Sequence, residues 1–357
     1  MDINSIDDKL LAVIKRYMPI LLSADKDEFE FVVNDICNCV KDYHFERYDE
    51  YFLYDFSNLN TEERKTFFGN LDYRNCVKNS FIGSYDDSQI FKDKIATYEI
   101  YKDYYKRDII VIKDFSDYAK FSEFVKNNQV FMAKPAYGSL GAYIKKINIT
   151  SEKEVKYAFL NLVQDCITVN KDEGNDAFSK CLVNGYICES WIEQCDDFSQ
   201  FYNGCVNTVR LVSILDDRGL IKVFAMFRTG RGGSVVDNVS AGGIAAKIDV
   251  DTGVIITDGY TKTTFEHFET HPDSNKKYKG YKIPRWNELL DLVIKLHGLC
   301  TESRYVGWDF TLTKDGWVLI EGNGKPQIET IQIINYKSFG RGLYNEIENA
   351  LGRYRLK

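Results

Sequence analysis

The stretch from Val306 to Asn323 constrains this chain more tightly than any other. Residues 306–313 and 317–321 read as two apolar strands flanking Lys314-Asp315-Gly316. A three-residue hairpin loop fits that spacing, with Gly316 in the left-handed position such loops require. Pairing is then symmetric about Asp315, because Asp309 and Glu321 each lie six residues from it. The two carboxylates should face each other across the ladder, with Cβ atoms about 5 Å apart. Asn323, two residues on, points the same way if the strand continues. Opposed like charges destabilise a sheet. A hard divalent cation removes the conflict, and two carboxylates with an amide oxygen suit Mg²⁺ bound together with nucleotide phosphates. A register slip of one residue would instead place the charges on opposite faces of a solvated edge.

The 357 residues, 44% of them hydrophobic, can fill a sizeable core. Such a length suggests two or three domains of roughly 100–200 residues. Lys and Arg number 46 against 53 Asp and Glu, for a net charge of −7. That balance argues against a duplex nucleic-acid binder, yet it permits a small anionic ligand in a locally basic pocket. Twenty-four Tyr, 23 Phe and only five Pro describe a well-packed chain without disordered tracts. The nine cysteines are odd in number and scattered, with no CxxC pair or His partner at zinc spacing. Reduced thiols in a cytoplasmic protein are expected. Residues 1–6 carry no basic run or apolar signal core. No window approaches the roughly 20 apolar residues of a membrane span.

Along the chain the pattern is α/β in character with substantial antiparallel sheet. Residues 1–85 read as a helical N-terminal region, with Phe29, Val32, Val33, Ile36 and Val40 at helical spacing and a capped start at Thr61-Glu62-Glu63-Arg64. A first lobe is expected over 86–190 and a second over 191–357. Strands are expected at 108–112, 130–134, 142–149, 185–192, 206–215, 221–228 and 244–249. Helices are expected over 93–106, 115–127, 152–166 and 286–300.

Several other segments bear on chemistry. In Lys134-Pro135-Ala136-Tyr137-Gly138-Ser139-Leu140-Gly141 a lysine ends an apolar strand ahead of a Gly/Ser loop. The loop can offer a cation and backbone N–H groups to phosphate, or be an ordinary turn; it is neither a Walker loop nor a GxGxxG loop. Glu189 interrupts the apolar run Ile187–Ile192 and needs a partner if buried. Arg210 lies in an apolar strand, sharing a face with Thr208 and Val212, and meets either an anionic ligand or a structural carboxylate. The run Arg228-Thr229-Gly230-Arg231-Gly232-Gly233-Ser234, followed by Asp237-Asn238 and Gly242-Gly243, reads as a mobile lid over a polyphosphate or as a surface loop. The four histidines form no HExxH or other metal pair, and no GxSxG elbow or Cys/His arrangement points to a covalent hydrolase.

Taken together, these segments resemble the ATP-grasp superfamily. The order matches: Asp93-Lys94 ahead of a helix, Lys134-Pro135 with its loop, the Glu189–Ile192 hinge, and Asp309…Glu321-Gly322-Asn323. The nearer likeness is to the sugar-transfer-associated ATP-grasp group, related to RimK-type and D-alanine–D-alanine ligases. It is carried by Asn207-Thr208-Val209-Arg210, Asp237-Asn238 with Gly242-Gly243, Asp249 with Thr252-Gly253, His271-Pro272, Ile283-Pro284-Arg285-Trp286 and Val306-Gly307-Trp308-Asp309, and covers roughly residues 50–350.

The resemblance implies an α+β ATP-grasp fold whose two lobes hold ATP between them. Lys94 and Lys134 would hold phosphates, with Ser139 and Gly141 in the loop above them. Backbone of Glu189 and Ile192 would meet adenine. Asp197 would take the ribose, with Asp196 beside it as the other candidate. Asp309, Glu321 and Asn323 would hold two Mg²⁺ ions, Mn²⁺ being an alternative. Arg210 and Arg228 would face the transferred phosphate and the acyl phosphate. Gly322 and Gly324 depart from the family pattern and suggest a more mobile strand end.

The activity implied is ligation of a small carboxylate and an amine, on a sugar or surface-polysaccharide precursor, without nucleic acid. A homodimer is compatible with this reading. A phosphotransferase acting on a sugar or lipid hydroxyl is the alternative. A nucleotide-sensing module is a third class, disfavoured by the intact Asp309/Glu321/Asn323 set.

Overall fold

A computed structural model describes residues 6–83, 90–137, 144–171, 184–262, 266–300 and 302–355. They fall into two compact units, Met1–Phe81 with Lys325–Lys357, and Ile82–Gly324. No helix among the described residues is long and apolar enough to cross a membrane.

The first unit is helical. Asp25 caps the helix Lys26–Asp42 by accepting from the Asp27 and Glu28 amides, and one face of that helix buries Phe29, Val33, Ile36 and Cys39. Asn60 and Glu63 form a capping box at Thr61–Arg64, so the cap is one residue before the Thr61 of the expected start. The Phe56 ring meets those of Tyr43, Phe45, Tyr54 and Phe67. The C-terminal segment 325–357, placed by sequence in the second lobe, groups with these helices instead. Gln332, in the helix Glu329–Phe339, gives the reason. Its buried side-chain amide accepts from the Phe68 N–H at 2.8 Å and donates to the Phe68 carbonyl and Tyr54 hydroxyl at 3.0 Å each. A polar group so buried is costly anywhere its partners are missing.

The second unit contains two antiparallel sheets. One has the order β1-β4-β2-β3, from Ile109–Ile112 (β1), Val130–Pro135 (β2), Lys145–Asn148 (β3) and Tyr186–Ser190 (β4). Alternation decides its faces. Phe131 and Ala133 on β2, with Tyr186 and Cys188 on β4, pack beneath the helices Tyr118–Asn127 and Glu152–Lys171 with Phe121, Phe124, Phe159 and Leu162. Lys134, Ile187 and Glu189 are thereby turned to the opposite face.

The other sheet has the order β11-β10-β5-β6-β7-β8-β9. Its strands are Thr208–Asp216 (β5), Gly219–Thr229 (β6), Ile244–Ile248 (β7), Gly259–Tyr260 (β8), His267–Phe268 (β9), Tyr305–Thr313 (β10) and Gly316–Asn323 (β11). Val209, Leu211, Phe227, Trp308, Phe310 and Leu319 share a buried core with Trp286, Leu289, Val293 and Leu296 of the helix Trp286–Leu299. Each such side chain contributes about 1.5–3 kcal/mol on burial, which fixes the face each strand turns inward. Thr208, Arg210, Arg228 and Asp309 point the other way.

Candidate active site

The β10–β11 hairpin is not built as its sequence spacing suggests. Thr313 pairs with Gly316, leaving a two-residue loop of Lys314 and Asp315 rather than a three-residue one. The Thr313 hydroxyl donates to the Gly316 carbonyl at 3.0 Å and accepts the Asp315 N–H at 3.2 Å, while Gly316 takes a φ of +112°. In that register Glu321 would oppose Trp308 and point into the core. A β-bulge intervenes: Phe310 pairs with Leu319 but Asp309 pairs with Glu321, and Ile320 is the extra residue. The bulge turns Glu321 to the charged face. The expected opposition of Asp309 and Glu321 is present, through a different device.

Across that face the register sets a row of ionic groups. Asp309 on β10 lies between Glu321 on β11 and Arg210 on β5, and Arg228 on β6 lies opposite Thr208. Arg210 grips Asp309 with two bonds, Nε to Oδ1 at 2.7 Å and Nη2 to Oδ2 at 2.6 Å. Arg228 Nη2 adds a third to Oδ2 at 2.9 Å. Glu321 Oε1 stands 3.8 Å from Arg210 Nη2. Thr208 donates to Asp237 and receives Arg228 Nε at 2.9 Å. Burial opposes ionisation of Asp309, but Arg210 and Arg228 outweigh it and hold the carboxyl below its ordinary range. For Asp237 burial prevails over Arg228, and its carboxyl is pushed up. The repulsion expected between Asp309 and Glu321 is therefore already answered by guanidinium groups.

A cleft opens between the sheets. Its apolar walls include Phe91, Tyr98, Tyr105, Ile109, Ile187 and Ile320, and its polar groups are Lys94, Thr97, Lys134, Glu189, Glu321 and Asn323. Lys94 begins the helix Lys94–Tyr105, whose cap Asp93 accepts from the Ile95 and Ala96 amides. The Lys94 N–H donates to the Ala136 carbonyl at 2.9 Å, tying this helix end to the residue after β2. A helix N-terminus beside a lysine suits an anion. Gly322 is there for packing, since a Cβ would stand 2.5 Å from the Phe91 ring. That close approach, rather than mobility, accounts for the glycine expected to loosen the strand end.

Glu189 is buried and has the partners its position demands. Lys134 Nζ lies 2.7 Å from Oε2, and Arg107 reaches the same oxygen through Nε at 3.2 Å and Nη2 at 3.1 Å. Burial would raise the Glu189 carboxyl, but Arg107 and Lys134 overcome it and bring it down to about 2.

The structure thus brings Lys94, Lys134, Glu189, Glu321 and Asn323 to one cleft, with Asp309, Arg210 and Arg228 beside Glu321. Ile192 and Asp197 are not among the described residues lining it. Asp197 is exposed on the short helix Asp196–Ser199, its carboxylate accepting from the Tyr281 hydroxyl at 3.2 Å. Ser139 and Gly141 lie outside the described residues. The glycine-rich run expected as a lid is tied down: Arg231 Nε donates to the Gly242 carbonyl at 2.9 Å, Gly232 N–H to Asp273 at 2.9 Å, and Tyr202 to the Ser234 carbonyl at 2.9 Å. Sequence reasoning missed Arg107. The available signal was the buried Glu189 itself, which pairs with Ile109 across β1 and β4. Arg107, two residues before Ile109, falls on that same side.

No group of three or more His, Cys, Asp or Glu among the described residues is arranged to hold a metal. The hairpin offers two carboxylates and an amide instead. Asp309 Oδ2 already accepts two N–H groups, whereas Oδ1 accepts one and keeps a lone pair. Glu321 is 43% exposed on its side chain, and Asn323 Nδ2 stands 3.4 Å from its Oε1. These donors fit one hard cation with positions left for phosphate and water.

Two α+β layers facing a lysine- and carboxylate-lined cleft define an ATP-grasp fold. The chain belongs to the sugar-transfer associated ATP-grasp family, which it matches over residues 77–349. It is similar in fold to the ATP-grasp ligase PsnB solved with a minimal precursor, at 12% identity over 76% of this chain and 62% of that one, with a TM-score of 0.40. D-alanine–D-alanine ligase from Helicobacter pylori is 13% identical over 77% of this chain and 64% of its own, with a TM-score of 0.42. N5-carboxyaminoimidazole synthetase from Staphylococcus aureus, complexed with ADP, is 11% identical over 77% and 54%, with a TM-score of 0.44. The chain spans less than two thirds of each of these three. No curated protein matches it.

Proposed function

We propose that this protein is an ATP-dependent carboxylate–amine ligase that forms an amide through an acyl phosphate, with a sugar or surface-polysaccharide precursor as one partner. The observation that carries this reading is the cleft. Two lysines and a carboxylate–amide hairpin line it, and two arginines adjoin the hairpin. No Ser, Cys or His is among the described residues lining it. In this scheme a substrate carboxylate attacks the γ-phosphorus and ADP leaves. The amine then attacks the acyl carbon and phosphate departs, with the amine proton passing to solvent.

In this scheme Lys94 and Lys134 hold phosphates, backbone of Glu189 and Ile192 meets the adenine edge, and Asp197 meets the ribose. Asp309, Glu321 and Asn323 would hold Mg²⁺, which when bound neutralises charge on the phosphates. Arg210 and Arg228 orient Asp309 and face the transferred group; none of the bonds described above uses Nη1 of either guanidinium.

The test is isotopic. Candidate sugar acids labelled with ¹⁸O in the carboxylate are incubated with ATP and a panel of amines. The ligase reading expects ADP, amide, and one ¹⁸O in the released phosphate. Phosphate retained on a hydroxyl product would establish the phosphotransferase instead.

A further inference from the structure

We propose that Arg107 is a positioning residue that holds the β11 bulge in register, and so keeps Glu321 and Asn323 aimed into the cleft. The proposal rests on the ligase reading for what the cleft binds, but its geometric basis is independent of it.

All five guanidinium N–H groups of Arg107 are used. Nε and one Nη2 proton go to Glu189 Oε2. Nη1 donates to the Tyr105 carbonyl at 3.1 Å and the Leu319 carbonyl at 2.7 Å, and Nη2 also reaches the Ile320 carbonyl at 3.4 Å. The side chain is 3% exposed, with its guanidinium 4.5 Å from the centre of the Tyr105 ring.

Leu319 and Ile320 are the residues at which the hairpin changes register. Consecutive carbonyls of a regular strand point to opposite edges, so one guanidinium cannot take both. The bulge turns both toward Arg107, on the free edge of β11, which is the outermost strand of its sheet. Removal of these two bonds favours the regular register, in which Glu321 faces the buried Trp308 side. Holding the bulge therefore decides whether the hairpin presents its carboxylate at all. The same guanidinium anchors Glu189 and, through it, Lys134, so both walls of the cleft are referred to one side chain.

Lysine cannot reproduce this, having three donors and no planar fork. In Arg107→Lys the charge facing Glu189 remains while the grip on two carbonyls is lost. Two measurements on the full chain follow. Hydrogen exchange at the amides of 319–323 should rise in the nucleotide-free protein. The Mg²⁺ concentration that half-saturates the enhancement of fluorescent ATP-analogue binding should increase about 10- to 100-fold, as for other residues that orient metal ligands. Metal-free analogue affinity should change far less. A fall in Tm with unchanged exchange and an unchanged Mg²⁺ constant would show Arg107 to be merely structural and overturn the proposal. Wild-type protein whose analogue binding ignores Mg²⁺ would overturn the ligase reading first, and this inference with it. Should Arg107→Lys not fold, the pair Arg107→Met with Glu189→Met removes both buried charges together, and the same two measurements decide.

Discussion

The two sheets of the second unit each bury one carboxylate between two cations, yet they do so differently. Glu189 receives Arg107 and Lys134 on a single oxygen, and Lys134 also faces the open cleft. Asp309 is gripped through both oxygens by two arginines, three bonds in all. A guanidinium fork holds one geometry, whereas an ammonium on a flexible stem is readily exchanged for another anion. The Glu189 cluster therefore suits a cation lent to a ligand, and the Asp309 cluster suits a fixed frame.

Removing the frame should produce the largest effect. Asp309→Asn takes from Arg210 and Arg228 the carboxylate that both bond, leaving Arg228 with Asp237 at 3.3 Å and Arg210 with Glu321 at 3.8 Å, a change that costs up to the roughly 3–5 kcal/mol of a broken buried pair. Denaturant melts should show it, with activity lost as well. A loss below about 1 kcal/mol, the range of exposed pairs, would place Asp309 with the surface ion pairs and erase the contrast.

Lending the cation should show in binding. Lys134→Ala keeps Glu189 paired with Arg107, so the fold should tolerate it better than Asp309→Asn. Nucleotide affinity should fall by the value of a charged hydrogen bond, about 1.5–3 kcal/mol, or roughly 10- to 150-fold. Calorimetric titration with Mg-ATP measures this, and an unchanged Kd would leave Lys134 a structural partner of Glu189 only.

Acid should expose the same pairing. The Glu189 carboxyl is held at about 2 against an ordinary 4.5. A depressed carboxylate contributes stability that is complete above its unfolded value and lost as pH falls toward the folded one. Unfolding free energy should therefore decline between pH 4.5 and 2, and the decline should be shallower in Glu189→Gln. Parallel curves for the two proteins would remove Glu189 as a source of acid lability.

Much of this architecture is legible in the sequence because it follows from period. Most strands of both sheets appear as the short apolar runs that the sequence shows, the two-residue strands Gly259–Tyr260 and His267–Phe268 excepted, and Lys134 and Glu189 reach the cleft because their neighbours Ala133 and Cys188 pack beneath helices. What is not legible depends on contacts between distant residues. Gln332 places the C-terminal segment with the first unit through Phe68, 264 residues away. The bulge at Ile320 leaves no local signature, since Leu319, Ile320 and Glu321 are all compatible with a regular strand. Arg107 falls between the helix expected over 93–106 and the strand expected over 108–112, with nothing to mark it until that strand is laid beside β4.

The smallest effect carries the clearest sign. Facing carboxylates alone would predict that Glu321→Gln relieves repulsion and stabilises the metal-free fold. The structure changes the expectation, because Arg210 Nη2 is bonded to Asp309 and stands 3.8 Å from Glu321, so that Glu321 faces a cation as well as a carboxylate. Neutralising Glu321 removes a counter-charge from Arg210 as well as a repulsion from Asp309, whose own charge the two arginines already balance. Since Glu321 is 43% exposed, solvent screens the loss, and metal-free stability should fall slightly, by less than about 1 kcal/mol. The Mg-ATP response should change far more. A ligand that binds only the native state raises Tm through its own affinity, so a cleft deprived of one metal-binding oxygen charge should lose most of that shift. Melts of wild type and Glu321→Gln, each with and without Mg-ATP, separate the effects. A metal-free protein made more stable by the change would show that repulsion, not the arginine frame, governs this face of the sheet. An undiminished Mg-ATP shift would remove Glu321 from the metal site.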